Sequence, residues 1–381
     1  MTDLTAGRVL VRETSEEELL AAIFPLLPTG EATLVGPGDD SAVVSAPDGR
    51  FVVSTDVLVE RRHFRPEWST GYDVGWRAAM QNLADIAAMG ARPTSLVVAL
   101  VIPGRLPVEW VTGLARGLAA ACAPSGAAVV GGDLSSGDDV VVAVTVHGDL
   151  GGRAPVLRSG ARVSDVVAHA GRRGWSAAGL ALLEHELGHL DSGLVDAFLR
   201  PEPPLGAGPL AADAGATAML DLSDGLLRDA GRIARASGCA STSTQRPSPP
   251  TSTGWPQPPW LSRQRPGTRG DEPTAVDALV RDWTLTGGED HGLLATFPAG
   301  TALPSPSGRW DGCCPRTRTA RTVGDGRRVS AACARRGMGP LPPLTGCGAW
   351  RATAWVEGPP GATSRESGSV LRNARDQTVR R

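Results

Sequence analysis

The chain predicts a two-domain protein of the α/β (α+β) class, in which helices cover β-sheets. Three observations carry that expectation. Short β-like runs alternate with helical patterns through residue 240, and a unit of strand, acidic turn and helix occurs in both halves. The longest apolar runs, 95–102 and 140–146, have strand length and are too short to cross a bilayer.

The elements follow in order. Residues 14–27, TSEEELLAAIFPLL, place a Thr or Ser cap before acidic first-turn residues and an apolar face, which predicts a helix. Glu16, Glu17 and Glu18 stand where a secretory leader would carry basic residues, so a cytoplasmic location is expected. Residues 34–64, LVGPGDDSAVVSAPDGRFVVSTDVLVERRHF, hold two β-like runs. A turn with Asp39 and Asp40 precedes the first, and the second, 51–53, ends in Ser54, Thr55 and Asp56. Hard oxygen ligands at strand ends suit magnesium, although a solvated hairpin turn leaves the same pattern. Residues 73–90 have helical periodicity, with Trp76, Met80, Leu83 and Ala87 on one face and a stop at Gly90. Asp85 is the acid in the body of that helix, either an exposed carboxylate or a ligand aimed at the strand ends. A buried strand at 95–102, a helix at 108–125, a strand at 127–130 running into Gly131, Gly132 and Asp133, and a strand at 140–148 complete a first domain, 1–150.

The second domain is expected over 151–303. It holds RSGARVSD, a strand at 166–170, a glycine-rich turn at 171–180 and a helix to about Gly188. A proline breaker at 201–204 and a helical segment at 206–215 follow. A strand at 218–220 then leads into DLSDGL and a helix at 227–237, and 276–303 read as helix, turn and strand.

Composition removes several classes. All 38 basic side chains are arginine. Without lysine there is no Walker A loop, no protein-kinase strand lysine and no Schiff base. The six cysteines lack metal-ligand spacing and are expected to be reduced. HELGH, residues 185–189, matches a zinc-peptidase signature, but no third ligand follows closely, and coincidence is the simpler reading. The glycine turn at Gly171 is equally unspecific. A distributed signal is stronger: Asp40, Asp56, Asp85, Asp133, Asp221 and Asp224 all fall at or near element ends. Taken singly, each reads as a cap or turn residue. Six carboxylates cannot converge without cations, and the natural cargo of such a cage is polyphosphate.

GPGDD, STDVLVERRHF, NLADIAAMGARP, VVGGDLS, RSGAR, the GxxGxSAAGL turn, LRPEPP, DLSDGLLRDAGRIARASG and GGEDHGLL stand in this order along 10–240 and 275–303. In these motifs the chain resembles the thiamine-monophosphate kinase family, of the aminoimidazole-ribonucleotide-synthetase superfamily. The resemblance implies that superfamily's two-domain fold, a homodimer paired through the N-terminal sheets, and ATP-dependent phosphorylation of thiamine monophosphate to thiamine diphosphate. It implies several magnesium ions on Asp40, Ser54, Thr55, Asp56, Asp85, Asp133, Asp221 and Asp224. ATP would lie on Gly132, Asp133, Arg158 and Ser223, and thiamine monophosphate on His63 and Glu289. The acceptor is an ionised phosphate oxygen, so no general base is required. Neither a nucleic-acid nor a membrane partner is expected. Another ATP-dependent synthetase of the superfamily, an inactive misread chain and a zinc peptidase are the competing readings.

Residues 241–273 and 304–381 depart from the family. They are rich in Pro, Ser, Thr, Arg and Trp and have no period, so both are expected to be without regular structure. With GC-rich codons, 241–248 shifted by one base spell Val-Asp-Leu-Asp-Pro-Ala-Ala-Leu, and 337–341 spell Gly-Trp-Asp-His-Phe. Out-of-frame translation is the expected cause, and a basic interaction tail the alternative.

Overall fold

The computed structural model describes residues 9–38, 41–239, 275–304 and 310–312. Asp40, the segment 241–273 and all but a few residues of 304–381 lie outside the described residues.

Helix α1 (Glu16–Ile23) begins at a capping box: Ser15 Oγ accepts the Glu18 N–H at 3.2 Å, and Glu18 Oε2 accepts the Ser15 N–H at 2.9 Å. It is shorter than its sequence pattern, because at Pro25 the chain tightens into a 3-10 turn, Phe24–Leu26. A short hairpin, β1 (Thr33–Val35) and β2 (Val43–Val44), frames the acidic turn.

The first main sheet consists of β3 (Val52–Val59), β4 (Arg92–Ile102), β5 (Ala128–Ser136) and β6 (Val141–Asp149) in the order β3-β6-β4-β5. The β4–β5 pair is parallel and is bridged by helix α3 (Val108–Cys122); the other pairs are antiparallel. Helix α2 (Gly71–Ala88) and α3 build one core with this sheet, centred on the fully buried Leu83, Ile86, Leu96, Val142, Val144 and Val146. The two helices meet backbone to backbone. A Cβ on Gly75 would lie 2.1 Å from the Leu114 carbonyl oxygen, and one on Gly117 2.1 Å from that of Tyr72.

Two sequence expectations change here. The strand expected to end before Ser54 continues to Val59, and the one expected to end at Val130 continues to Ser136. Ser54, Thr55, Asp56, Gly132 and Asp133 are therefore mid-strand, held by the continuous register of β3 with β6 and by the pairing of β5 with β4, which resumes at Gly131 after a bulge at Val130. Helix α2 is also not amphipathic in the simple sense, since Asp73, Arg77, Gln81 and Asn82 are as buried as Leu83. Its other side packs on the second half of the chain: Trp76 Nε1 donates to Pro201 O at 2.8 Å, and Ala87 shares an apolar cluster with Ala207 and Ala211.

The second sheet is fully antiparallel, β10-β7-β9-β8, formed by β7 (Val166–Ala170), β8 (Ala218–Leu222), β9 (Gly292–Phe297) and β10 (Trp310–Gly312). Every residue of β8 and β9 is buried, which accounts for a sequence that is apolar except at Asp221 and Thr296. Around them lie α4 (Trp175–Glu184), α5 (Ser192–Leu199), α6 (Ala207–Asp213), α7 (Leu226–Ala236) and α8 (Ala275–Thr286). Strand β10 falls in the tail expected to lack regular structure. Its pairing uses main-chain groups, which any sequence supplies to the open edge of β7.

Candidate active site

The alternation of β3 sorts its three candidate ligands onto two faces. Ser54 and Asp56 face α2: Ser54 Oγ donates to Asp85 Oδ2 at 2.7 Å, and Asp56 receives a hydrogen bond from Gln81. Thr55 faces the other way, donating to Val144 O at 2.9 Å and accepting from Thr145 Oγ1 at 3.2 Å. Asp133 is exposed on β5 and accepts from Ser135 Oγ at 3.0 Å. With Gly38, Ser41, Gly131, Gly132, Phe51 and His147 it lines a cavity of about 880 Å³.

Asp56, Asp85 and Asp221 come together from β3, α2 and β8. Burial pushes the Asp85 carboxyl up to about 6, with the charges of Asp221 and Asp56 adding to it and the Ser54 hydrogen bond opposing. Burial also raises Asp56 above the ordinary carboxylate range, against the pull of His291 and with a further push from Asp221 and Glu289. Three carboxylates thus sit within reach of one another's fields, Asp221 buried and Asp56 and Asp85 partly so. Among the described residues no three of His, Cys, Asp and Glu are close enough to chelate one ion by themselves.

The turn after β8 separates the two aspartates of DLSDG. Asp221 is buried and lies 3.2 Å from His291 Nδ1. Asp224 points to α7, paired with Arg228 at 2.9 Å and with Arg232, while its N–H is accepted by Asp229 at 3.0 Å. The loop before β9 docks on this turn, with Glu289 N–H bonded to Ser223 O at 3.0 Å and His291 N–H to Leu222 O at 3.1 Å. Glu289 is half-exposed within the cleft and pairs with Arg77 of α2 at 2.5 Å. Against the desolvation it meets in the cleft, Arg77 and His291 hold Glu289 below the usual carboxylate range. Asp221 and Glu289 raise His291 in spite of its own burial.

His63 is exposed just after β3, and its Nδ1 accepts the Val59 N–H at 2.9 Å. Arg158 is exposed, with its carbonyl held by Ser237 Oγ at 3.0 Å. Within the single chain these two, Thr55, Asp133 and Asp224 stand apart from the Asp56, Asp85 and Asp221 cluster. Asp40 lies outside the described residues.

The zinc-peptidase reading fails on geometry. Helix α4 ends at Glu184, His185 is its C-cap, Glu186 has φ of 60°, and Gly188–Leu190 form a 3-10 turn. The two histidines are therefore not one turn apart on a helix, which the motif requires. Metal analysis of the purified, chelator-treated and zinc-reloaded protein is expected to show the same zinc content for His189→Ala as for the parent.

Sequence reasoning missed Arg77, Gln81, Asp290 and His291. Arg77 carried a usable signal, being the one basic residue in the otherwise apolar and acidic helix α2. His291 was part of a quoted motif, GGEDHG, but its role depends on meeting Asp221 across 70 residues.

The comparisons with known proteins point the same way. Residues 38–150 match the model of the AIR synthase related protein, N-terminal domain. The thiamine-monophosphate kinase of Mycobacterium tuberculosis is 46% identical over 279 residues, 72% of this chain and 77% of that protein. Among solved structures, the thiamine-monophosphate kinase of Stenotrophomonas maltophilia K279a is 27% identical with a TM-score of 0.57, over 74% of this chain and 84% of that one. The structure of AaThiL complexed with AMPPCP and TMP is 28% identical with a TM-score of 0.56, over 72% of this chain and 85% of that one. Family model, sequence and fold agree with the residues assembled around Asp56, Asp85 and Asp221: the chain belongs to the thiamine-monophosphate kinase family.

Proposed function

We propose that this chain phosphorylates thiamine monophosphate, giving thiamine diphosphate and ADP from ATP. The observation that carries this reading is the convergence of Asp56, Asp85 and Asp221 opposite Glu289 in a chain 46% identical to a thiamine-monophosphate kinase. Oxygen donors drawn from both halves suit magnesium, for which phosphate and water supply the remaining positions. Asp40, Ser54, Thr55, Asp56, Asp85, Asp133, Asp221 and Asp224 are the residues that would hold it. When bound, magnesium neutralises phosphate charge and aligns the transferred group.

The protein's own groups do the rest. Gly132, Asp133, Arg158 and Ser223 are assigned to ATP; the cavity beside Gly132 and Asp133 has room for a nucleotide. His63 and Glu289 are assigned to the acceptor, whose cationic ring makes a carboxylate a suitable partner. Arg77 keeps Glu289 ionised and oriented. The attacking phosphate oxygen is already charged, so the side chains orient and exclude water rather than remove a proton. Residues 1–150 supply most of the metal ligands in this scheme, and 151–303 supply Arg158, Asp221, Ser223, Asp224 and Glu289.

A homodimer through the first sheet is supported by its uncovered face, where Phe51, Val53 and Val57 are exposed by 59%, 55% and 44%. Val57→Arg is expected to shift sedimentation from dimer to monomer; an unchanged dimer would place the interface elsewhere. No helix among the described residues is long and apolar enough to cross a membrane, and a cytoplasmic site with no nucleic-acid partner remains our assignment. The activity is tested by ATP-dependent formation of thiamine diphosphate, resolved chromatographically, with Asp221→Asn as control. No product from the parent protein, or full turnover by Asp221→Asn, would refute the reading.

A further inference from the structure

The glycine-rich turn between β7 and α4 has the form of an anion site, a strand leading through Gly171 and Gly174 into a helix N-terminus with unused N–H groups. The anion found there belongs to the protein. Asp290, 7% exposed, accepts the Gly174 N–H at 2.6 Å through Oδ2 and the Ser176 N–H at 2.9 Å through Oδ1. The Ser176 hydroxyl lies 2.9 Å from both the Glu289 and the Ala197 carbonyl oxygens, joining the same helix turn to the loop a second time. Glu289 and His291, on either side of Asp290, have φ of 69° and 51°. Left-handed backbone at two non-glycine positions is unfavourable unless the surroundings hold it, and the carboxylate between them is bound at both oxygens.

We propose that Asp290 is a positioning residue for phosphoryl transfer: by binding the N-terminus of α4 it holds Glu289 against Arg77 and His291 against Asp221. Its kinetic consequence, though not the clamp itself, rests on the thiamine-monophosphate kinase activity proposed above. Asp290 touches no group assigned to the reaction through its side chain. It acts on the loop, and the loop presents the residues that face the acceptor.

Asp290→Asn keeps the volume but turns an amide NH2 toward one of the two N–H donors, so one charge-assisted bond becomes a repulsion. Asp191→Asn is the control, since Asp191 caps the adjacent helix α5 through the Leu194 N–H at 3.1 Å and, among the described residues, its side chain makes no hydrogen bond or ion pair with the loop at 289–291. In the substrate-free full chain, amide exchange across 287–293 is expected to rise ~10-fold in Asp290→Asn and to stay at the parental level in Asp191→Asn. KM for thiamine monophosphate is expected to rise ~10-fold in Asp290→Asn while KM for ATP stays within about twofold. Unchanged exchange in a folded Asp290→Asn protein overturns the clamp. Raised exchange with unchanged KM and kcat for thiamine monophosphate overturns the positioning role. If Asp290→Asn does not fold, Asp290→Ser, which removes the charge and one of the two acceptors without setting an NH2 against an N–H, carries the test on the same readouts, and parental values in it overturn the proposal. A parent chain without turnover refutes the activity, and the exchange comparison still decides the clamp.

Discussion

Asp56→Asn is expected to lower kcat for thiamine diphosphate formation by about three orders of magnitude, while the protein melts at the parental temperature or above it in magnesium-free buffer. The two effects share one cause. Asp56 and Asp85 are partly buried beside the buried Asp221, whose charge adds to the cost of ionising both. A carboxyl raised in the folded state destabilises that state once it ionises, so Asp56 and Asp85 cost stability at neutral pH and not in acid, where both are protonated. An amide at position 56 cannot ionise and removes one repulsive partner. The thermal advantage of Asp56→Asn over the parent is therefore expected to be largest at and above neutral pH and to vanish toward pH 4. Kinetic assays with a melting series at several pH values check both halves. A variant that is both inactive and unstable at neutral pH would show that Asp56 is a structural carboxylate and not a destabilising functional one.

Gly225→Ala is expected to cost roughly 3 kcal/mol and to lower Tm by roughly 10 °C. Gly225 has φ of 98° and ψ of 150°, a region open essentially to glycine alone. A Cβ there would also lie 2.4 Å from the Thr286 carbonyl oxygen at the end of α8. Relief requires moving either the DLSDG turn or α8, and the turn carries Asp221 and Asp224, so activity should fall along with stability. Gly215→Ala is the informative comparison. Gly215 also has positive φ, 78°, but a Cβ on it meets nothing within 4 Å, so its cost should be near 1 kcal/mol. Equal melting temperatures for the two variants would mean that the contact with α8 is not rigid.

Much of this protein is legible from local pattern. The capping box at Ser15 and Glu18, the stop at Gly90 and the apolar run that becomes β4 each depend on neighbours in sequence, and each forms where its pattern placed it, although β4, expected to be buried, leaves Val97 and Ala99 exposed on one face. Nine motifs in order were enough to name the family, because motif order survives without any knowledge of distance.

Tertiary structure decided what those motifs do. Strand length was not written in the apolar run alone: the register with β6 carries β3 on to Val59, and the two-residue period then parts Thr55 from Ser54 and Asp56. The helical period put Trp76, Met80, Leu83 and Ala87 on one face of α2, yet Arg77 and Gln81 are buried as well, Arg77 against Phe198 and Glu289 of the second half and Gln81 against Asp56 of β3. HELGH failed for a similar reason, since two histidines four residues apart face the same way only while the helix lasts, and α4 stops at Glu184. The chain by itself specifies which acids and glycines are present and in what order. Only packing determines that Asp56, Asp85 and Asp221 share a field while Asp224 is neutralised by Arg228 and Arg232, because electrostatics depends on distance through space and sequence records distance along the chain.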